Sequence, residues 1–99
     1  MAQIVVTAAE VRAKAQELRQ RNSDFKNQVQ ELVSIEQNLG SKWEGEAKNA
    51  FHRAFMDDQR YMDQFYSLIE KYVAAMEQIA AEYERQERQN QQIASTRTS

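Results

Sequence analysis

The sequence predicts an all-α fold: a two-helix antiparallel hairpin that assembles as a dimeric four-helix bundle. Three observations carry this. Both glycines and the only tryptophan of the 99 residues fall within Leu39–Gly45, and there is no proline anywhere. On either side of that stretch, apolar residues recur at helical spacing. The apolar band of the second half is also wider than one neighbouring helix can cover. A single hairpin therefore accounts for the whole chain, with helix 1 over about 8–39, a turn over 40–45, helix 2 over about 46–90 and a disordered tail over 91–99.

Residues 1–6 read as short and irregular, without the basic cluster or long apolar core of a cleavable signal peptide. Thr7 followed by Glu10 has the form of a capping box, and Val6 with Val11 occupy the positions of a hydrophobic staple, so a helix start is well specified at Thr7. From there Val11, Leu18, Phe25, Leu32 and Leu39 recur every seven residues, and Ala8, Ala15, Asn22, Val29 and Glu36 form a companion stripe. Asn22 and Glu36 are its polar exceptions, residues that in such a seam fix register or partner. At 1.5 Å per residue, helix 1 spans about 48 Å.

Gly40 suits the left-handed position just past a helix C-terminus. Ser41 with Glu44 has the form of a second capping box. Trp43 then sits at the bend with a large ring to bury, and Gly45, lacking a Cβ, allows close approach.

Helix 2 carries two seams. One is Ala47, Phe51, Ala54, Tyr61, Phe65, Leu68, Tyr72, Ala75 and Ile79, broken by Asp58; the other is Phe55, Met62, Ile69, Met76 and Tyr83. Helix 1 of the same chain covers only part of this band, and exposed Phe, Met, Tyr and Ile at this density mark a binding surface or an aggregation hazard. With no cysteine for a disulfide, oligomerisation is the remaining source of stability for so small a core. The packing residues expected are Leu18, Phe25, Leu32, Phe55, Met62, Phe65, Ile69 and Met76. Pairing outward from the turn sets Ala8 beside Met76, so that everything after about residue 77 overhangs.

Chemistry is sparse. His52 is the only histidine and reads as a surface or interface residue; without a second histidine or any cysteine, no metal site is expected. Asp57 and Asp58 are adjacent and diverge on a helix, so they form no acid–base pair. No phosphate loop and no nucleophile–base constellation can be assembled, and neither an enzyme nor a cofactor is expected. Arg12, Lys14, Arg19, Arg21 and Lys26 alternate with Glu10, Glu17 and Asp24, the mark of a solvated face rather than a nucleic-acid surface. The net charge of −2 gives no general pull toward nucleic acid or anionic lipid.

The chain length, the hairpin and Trp43-Glu44-Gly45 at the bend together resemble the Trp-X-Gly (WXG) family, the early-secreted-antigen-like substrates of type VII secretion. Residues 6–15, Val-Thr-Ala-Ala-Glu-Val-Arg-Ala-Lys-Ala, are similar to the start of homodimeric members from low-GC Gram-positive bacteria. The resemblance implies a protein made in the bacterial cytoplasm and exported as a folded dimer, without a cleavable signal peptide, by a membrane-embedded secretion ATPase. It also implies a C-terminal export signal, Tyr-x-x-x-Asp/Glu. Tyr83 with Glu87 matches in pattern and place, and Tyr66 with Glu70 in pattern alone. Trp43, Gly45, Tyr83 and Glu87 are thus the expected recognition residues, with a homodimer or a heterodimer with a related hairpin as the carrier. A cytoplasmic adaptor coiled coil and a membrane-active secreted effector are the alternatives.

Overall fold

The computed structural model describes residues 6–98, with side chains described as far as Thr96. The irregular start expected for residues 1–5 and the final residue, Ser99, lie outside the described residues. Two helices make up the fold, α1 (Ala8–Gly40) and α2 (Glu46–Thr98). They pack antiparallel into a rod 82 × 23 × 22 Å.

The start of α1 follows the sequence expectation. Thr7 is extended and its hydroxyl oxygen accepts from the Glu10 backbone N–H at 3.1 Å, satisfying one of the unpaired donors of the first turn. The far end of α2 does not. Helix continues to Thr98 through the 91–98 stretch read as disordered. Nothing after Gly45 is glycine or proline, and Gln, Ala and Arg tolerate a helix, so the chain meets no stop signal.

The helices meet along a narrow line. On α1 the buried residues are Ala8, Ala15, Asn22, Val29 and Glu36, one in every seven; on α2 they are Val73 and Ala80. Phe55, Met62, Ile69 and Met76 are half-buried beside that line, as are Leu18 and Phe25. Leu32 and Phe65, expected in the same packing, are 45% and 50% exposed. Small residues at the centre let the two axes approach closely, so the larger side chains are displaced to the flanks.

The register also differs from pairing outward from the turn. Asn22 meets Tyr66 and Glu36 meets His52, which sets Ala8 level with Ala80, about one turn beyond the Ala8–Met76 match, and the long side chains of Arg12 and Arg19 reach further still, to Glu84 and Glu77. Helical side chains lean toward the N-terminus of their own helix. In an antiparallel pair the partners therefore lean in opposite directions, and long side chains meet from Cα positions offset along the rod. The single-helix overhang accordingly begins just past the Arg12–Glu84 contact rather than at residue 77.

Candidate functional site

The two flanks of the helix–helix line differ in chemistry. One side is charged, with Arg12 and Arg19 of α1 bonded to Glu84 and Glu77 of α2. The other side is apolar. Leu32 and Leu39 of α1 lie there with Phe51, Phe65, Leu68, Tyr72 and Ile79 of α2, each 43–53% exposed. Tyr61, on the same face, is 70% exposed. Phe25 and Phe65 bridge the helices edge-on, with ring centroids 5.4 Å apart. This exposed strip is the helix 2 seam that the sequence assigns to a second chain.

At the bend, α1 runs through Gly40 and is capped by Ser41, whose backbone N–H donates to the Gln37 carbonyl at 3.1 Å. The Ser41 hydroxyl donates back to the Asn38 carbonyl at 2.7 Å. Ser41 thus closes the first helix instead of opening the second, which overturns the Ser41–Glu44 capping box. Gly40 is helical, not left-handed; among the described residues Gly45 alone has a positive φ, at +106°. The Gly45 carbonyl accepts the first bond of α2, from the Asn49 N–H at 3.2 Å. A Cβ at Gly45 would meet nothing within 4 Å, so the glycine serves backbone conformation rather than the close approach expected of it.

Trp43 is half-buried, its ring 5.9 Å from that of Phe51, which in turn lies 6.5 Å from Phe55. The tryptophan therefore continues the aromatic strip of α2 around the end of the rod. Behind it, Glu36 and His52 join the two helices at 2.5 Å, with the Glu36 side chain only 8% exposed. His52 is on the surface, as expected. Its pairing to a buried seam carboxylate was signalled only by the anomaly of a glutamate at a seam position.

Tyr83, 40% exposed, and Glu87 lie one turn apart on α2. Between them Glu84 is tied to Arg12, so Tyr83 falls in the last paired turn and Glu87 at the start of the overhang. The competing Tyr66–Glu70 stretch is drawn into the hairpin. The Tyr66 carbonyl and the Glu70 carboxylate both accept from the Asn22 amide, at 3.0 and 2.9 Å, and Lys26 lies 5.0 Å from the Tyr66 ring centre. Among the described residues no group of three or more potential metal ligands converges, and no helix is long and apolar enough to cross a membrane.

Comparison with known proteins adds one decisive observation. The sequence profile of WXG100, proteins of 100 residues with WXG, matches residues 3–88. The chain belongs to the WXG100 family. Solved structures of the secreted protein EsxB from Bacillus anthracis (Sterne) share the fold of this WXG100 chain at 21% identity. The selenomethionine-labelled form gives a TM-score of 0.78 over 88% of this chain and 99% of that one. The wild type gives 0.76 over 85% and 97%, and a glutamate-to-glutamine variant gives 0.78 over 88% and 97%. No curated protein matches the sequence. Within the WXG100 hairpin, the tripeptide Trp43-Glu44-Gly45 is the bend just described.

Proposed function

We propose that this WXG100 chain is a non-enzymatic substrate of a type VII secretion system, exported as a folded homodimer. The observation that carries the reading is the continuous apolar strip of Phe51, Tyr61, Phe65, Leu68, Tyr72 and Ile79, left open by an otherwise complete hairpin. A strip of this kind requires a partner helix pair. A second copy laid antiparallel covers it with an identical strip and yields a four-helix bundle. The description of EsxB as a secreted protein supports export. In the antiparallel dimer the Trp43 bend of one copy comes near the Tyr83–Glu87 turn of the other. The aromatic ring and the carboxylate together form the surface read by the secretion ATPase.

The deciding experiment compares culture supernatant with cell lysate in strains with and without the secretion ATPase. Export reads as protein in the supernatant that disappears with the ATPase. Full retention in the lysate of both strains would instead establish a cytoplasmic adaptor. The Tyr83→Ala variant is expected to dimerise normally and to stay in the cell; its normal secretion would remove Tyr83 from the signal.

A further inference from the structure

One row of α2 carries the apolar strip at seven-residue spacing: Phe51, Asp58, Phe65, Tyr72 and Ile79. Its second member is a carboxylate where the pattern calls for a large apolar side chain. Asp58 is exposed and makes no ion pair among the described residues. The residues one turn from it on its own helix, Ala54, Phe55, Tyr61 and Met62, offer no cation. On α1, Arg21 lies one turn from both Leu18 and Phe25 and so faces the same flank. It is exposed and also without an ion pair among the described residues. The carboxylates one turn from it, Glu17 and Asp24, accept instead from Lys14 at 3.2 Å and from Gln20 at 3.1 Å. Within one chain the two free charges are far apart. The Asn22–Tyr66 and Glu36–His52 contacts centre the turn near residue 44. At 1.5 Å per residue, Asp58 then stands about 21 Å along the rod and Arg21 about 35 Å.

We propose that Asp58 of one copy closes on Arg21 of a second copy, and that this pair, made twice, fixes the register of the antiparallel homodimer. The pairing rests on the homodimer proposed above. The apolar strip runs from the level of Leu39 to that of Ile79, about 8 to 53 Å from the centre of the turn. Full overlap of two such strips puts the two-fold axis at the middle, about 30 Å along. Asp58 of the second copy then arrives about 39 Å along, level with Leu18. Lys14 and Arg21 flank Leu18 on this face. Lys14 is engaged with Glu17 and leans away from Leu18, toward the helix N-terminus, whereas Arg21 leans toward it by the same rule. Overlap of the strips and complementarity of charge thus select one register. A slipped register closes the Asp58 carboxylate unpaired against aromatic rings, which disfavours it.

A charge-reversal cycle on the full-length chain, read by sedimentation equilibrium, tests the pair. Asp58→Arg and Arg21→Asp are each expected to raise the dimer dissociation constant at least about tenfold, and the double variant to return it to within about threefold of wild type. Both positions are exposed, so circular dichroism should show unchanged helicity in all three variants. A wild-type chain that is monomeric throughout would overturn the homodimer and the pair together. A wild-type dimer indifferent to the single reversals, or a double variant no tighter than the singles, would overturn the pair and leave the homodimer standing. Rescue of Asp58→Arg by Lys14→Asp in place of Arg21→Asp would likewise remove Arg21 from the contact.

Discussion

Arg12 and Glu84, 72 positions apart in sequence, close a two-point contact: Nε to Oε1 at 2.7 Å and Nη2 to Oε2 at 3.0 Å. This fork joins the first turns of α1 to α2 just before the paired part ends. Through the same contact each group favours the charged form of the other. Hydrogen bonding to Arg12 holds the Glu84 carboxyl below its ordinary value, and Glu84 holds the Arg12 guanidinium above its own.

The direction of the Glu84 shift fixes the sign of a pH effect. A carboxyl held below its unfolded value contributes stability that is fully present above that value, 4.5, and is lost as pH falls through the lower folded-state value. Both side chains are exposed, so the contribution is small. Glu84→Gln is expected to lower the melting temperature slightly at pH 7 and to flatten its decline below pH 4.5. Melting curves at several pH values from neutral to strongly acid check this; parallel acid limbs for the two proteins would show that the fork is neutral to folding.

The two glycines of the bend have opposite expected responses. Gly40 is helical, and a Cβ there would meet Lys48 Cε at 3.6 Å, an ordinary contact. Gly40→Ala should therefore stabilise the hairpin by about 0.5–1 kcal/mol, through helix propensity and a less flexible unfolded chain. Gly45 has φ +106°, where an L-residue is strained whatever the space around it. Gly45→Ala should cost about 1–2 kcal/mol. Urea unfolding of the two variants measures both, and equal effects would sink the assignment.

These glycines also show how far the sequence could be read. Local chemistry was legible: Thr7 caps α1, the bend falls at Trp43–Gly45, and the apolar excess of helix 2 appears as an exposed strip. What failed depended on competition between neighbours. Ser41 could cap forward onto Glu44 or backward onto Asn38, and only the structure shows that the backward bond wins. Register was misjudged because pairing outward placed the centre of the turn near residue 42, whereas the Asn22–Tyr66 and Glu36–His52 contacts centre it near residue 44. The seven-residue spacing located both stripes of α1 but did not show that Ala8, Ala15, Asn22, Val29 and Glu36 would be the buried one. Close helix approach favours small residues at the contact, and that preference is a property of the pair.

Leu68, 43% exposed in the middle of the apolar strip, tests the proposed assembly. An aspartate there puts a charge where the second copy must close, without touching the buried line between α1 and α2. Leu68→Asp is expected to keep its helicity and to raise the dimer dissociation constant at least about 30-fold, the effect of losing about 2 kcal/mol at an interface centre. Sedimentation equilibrium over a concentration series reads this directly. A wild-type chain that stays monomeric throughout the series would remove the homodimer, and a variant as dimeric as the wild type would move the interface elsewhere.

Asn22 is 3% exposed at the centre of the buried line. Its amide donates to Tyr66 O and Glu70 Oε1, while its own Oδ1 is buried without a hydrogen-bond partner. An orphaned buried acceptor costs on the order of 1–3 kcal/mol, comparable to what the two donated bonds return. The Tyr66 carbonyl keeps its place in the helix ladder, and Glu70, half-exposed, can turn to water. Asn22→Val is therefore expected to leave stability unchanged or to raise it by up to about 1 kcal/mol in urea unfolding. The loss should appear as specificity, because a polar residue in an apolar seam holds one register against its neighbours. Doubled or broadened amide resonances along α1 and α2 are the expected sign. A variant destabilised by 1 kcal/mol or more that keeps a single sharp spectrum would show instead that the asparagine is a net source of stability and that the register is held elsewhere.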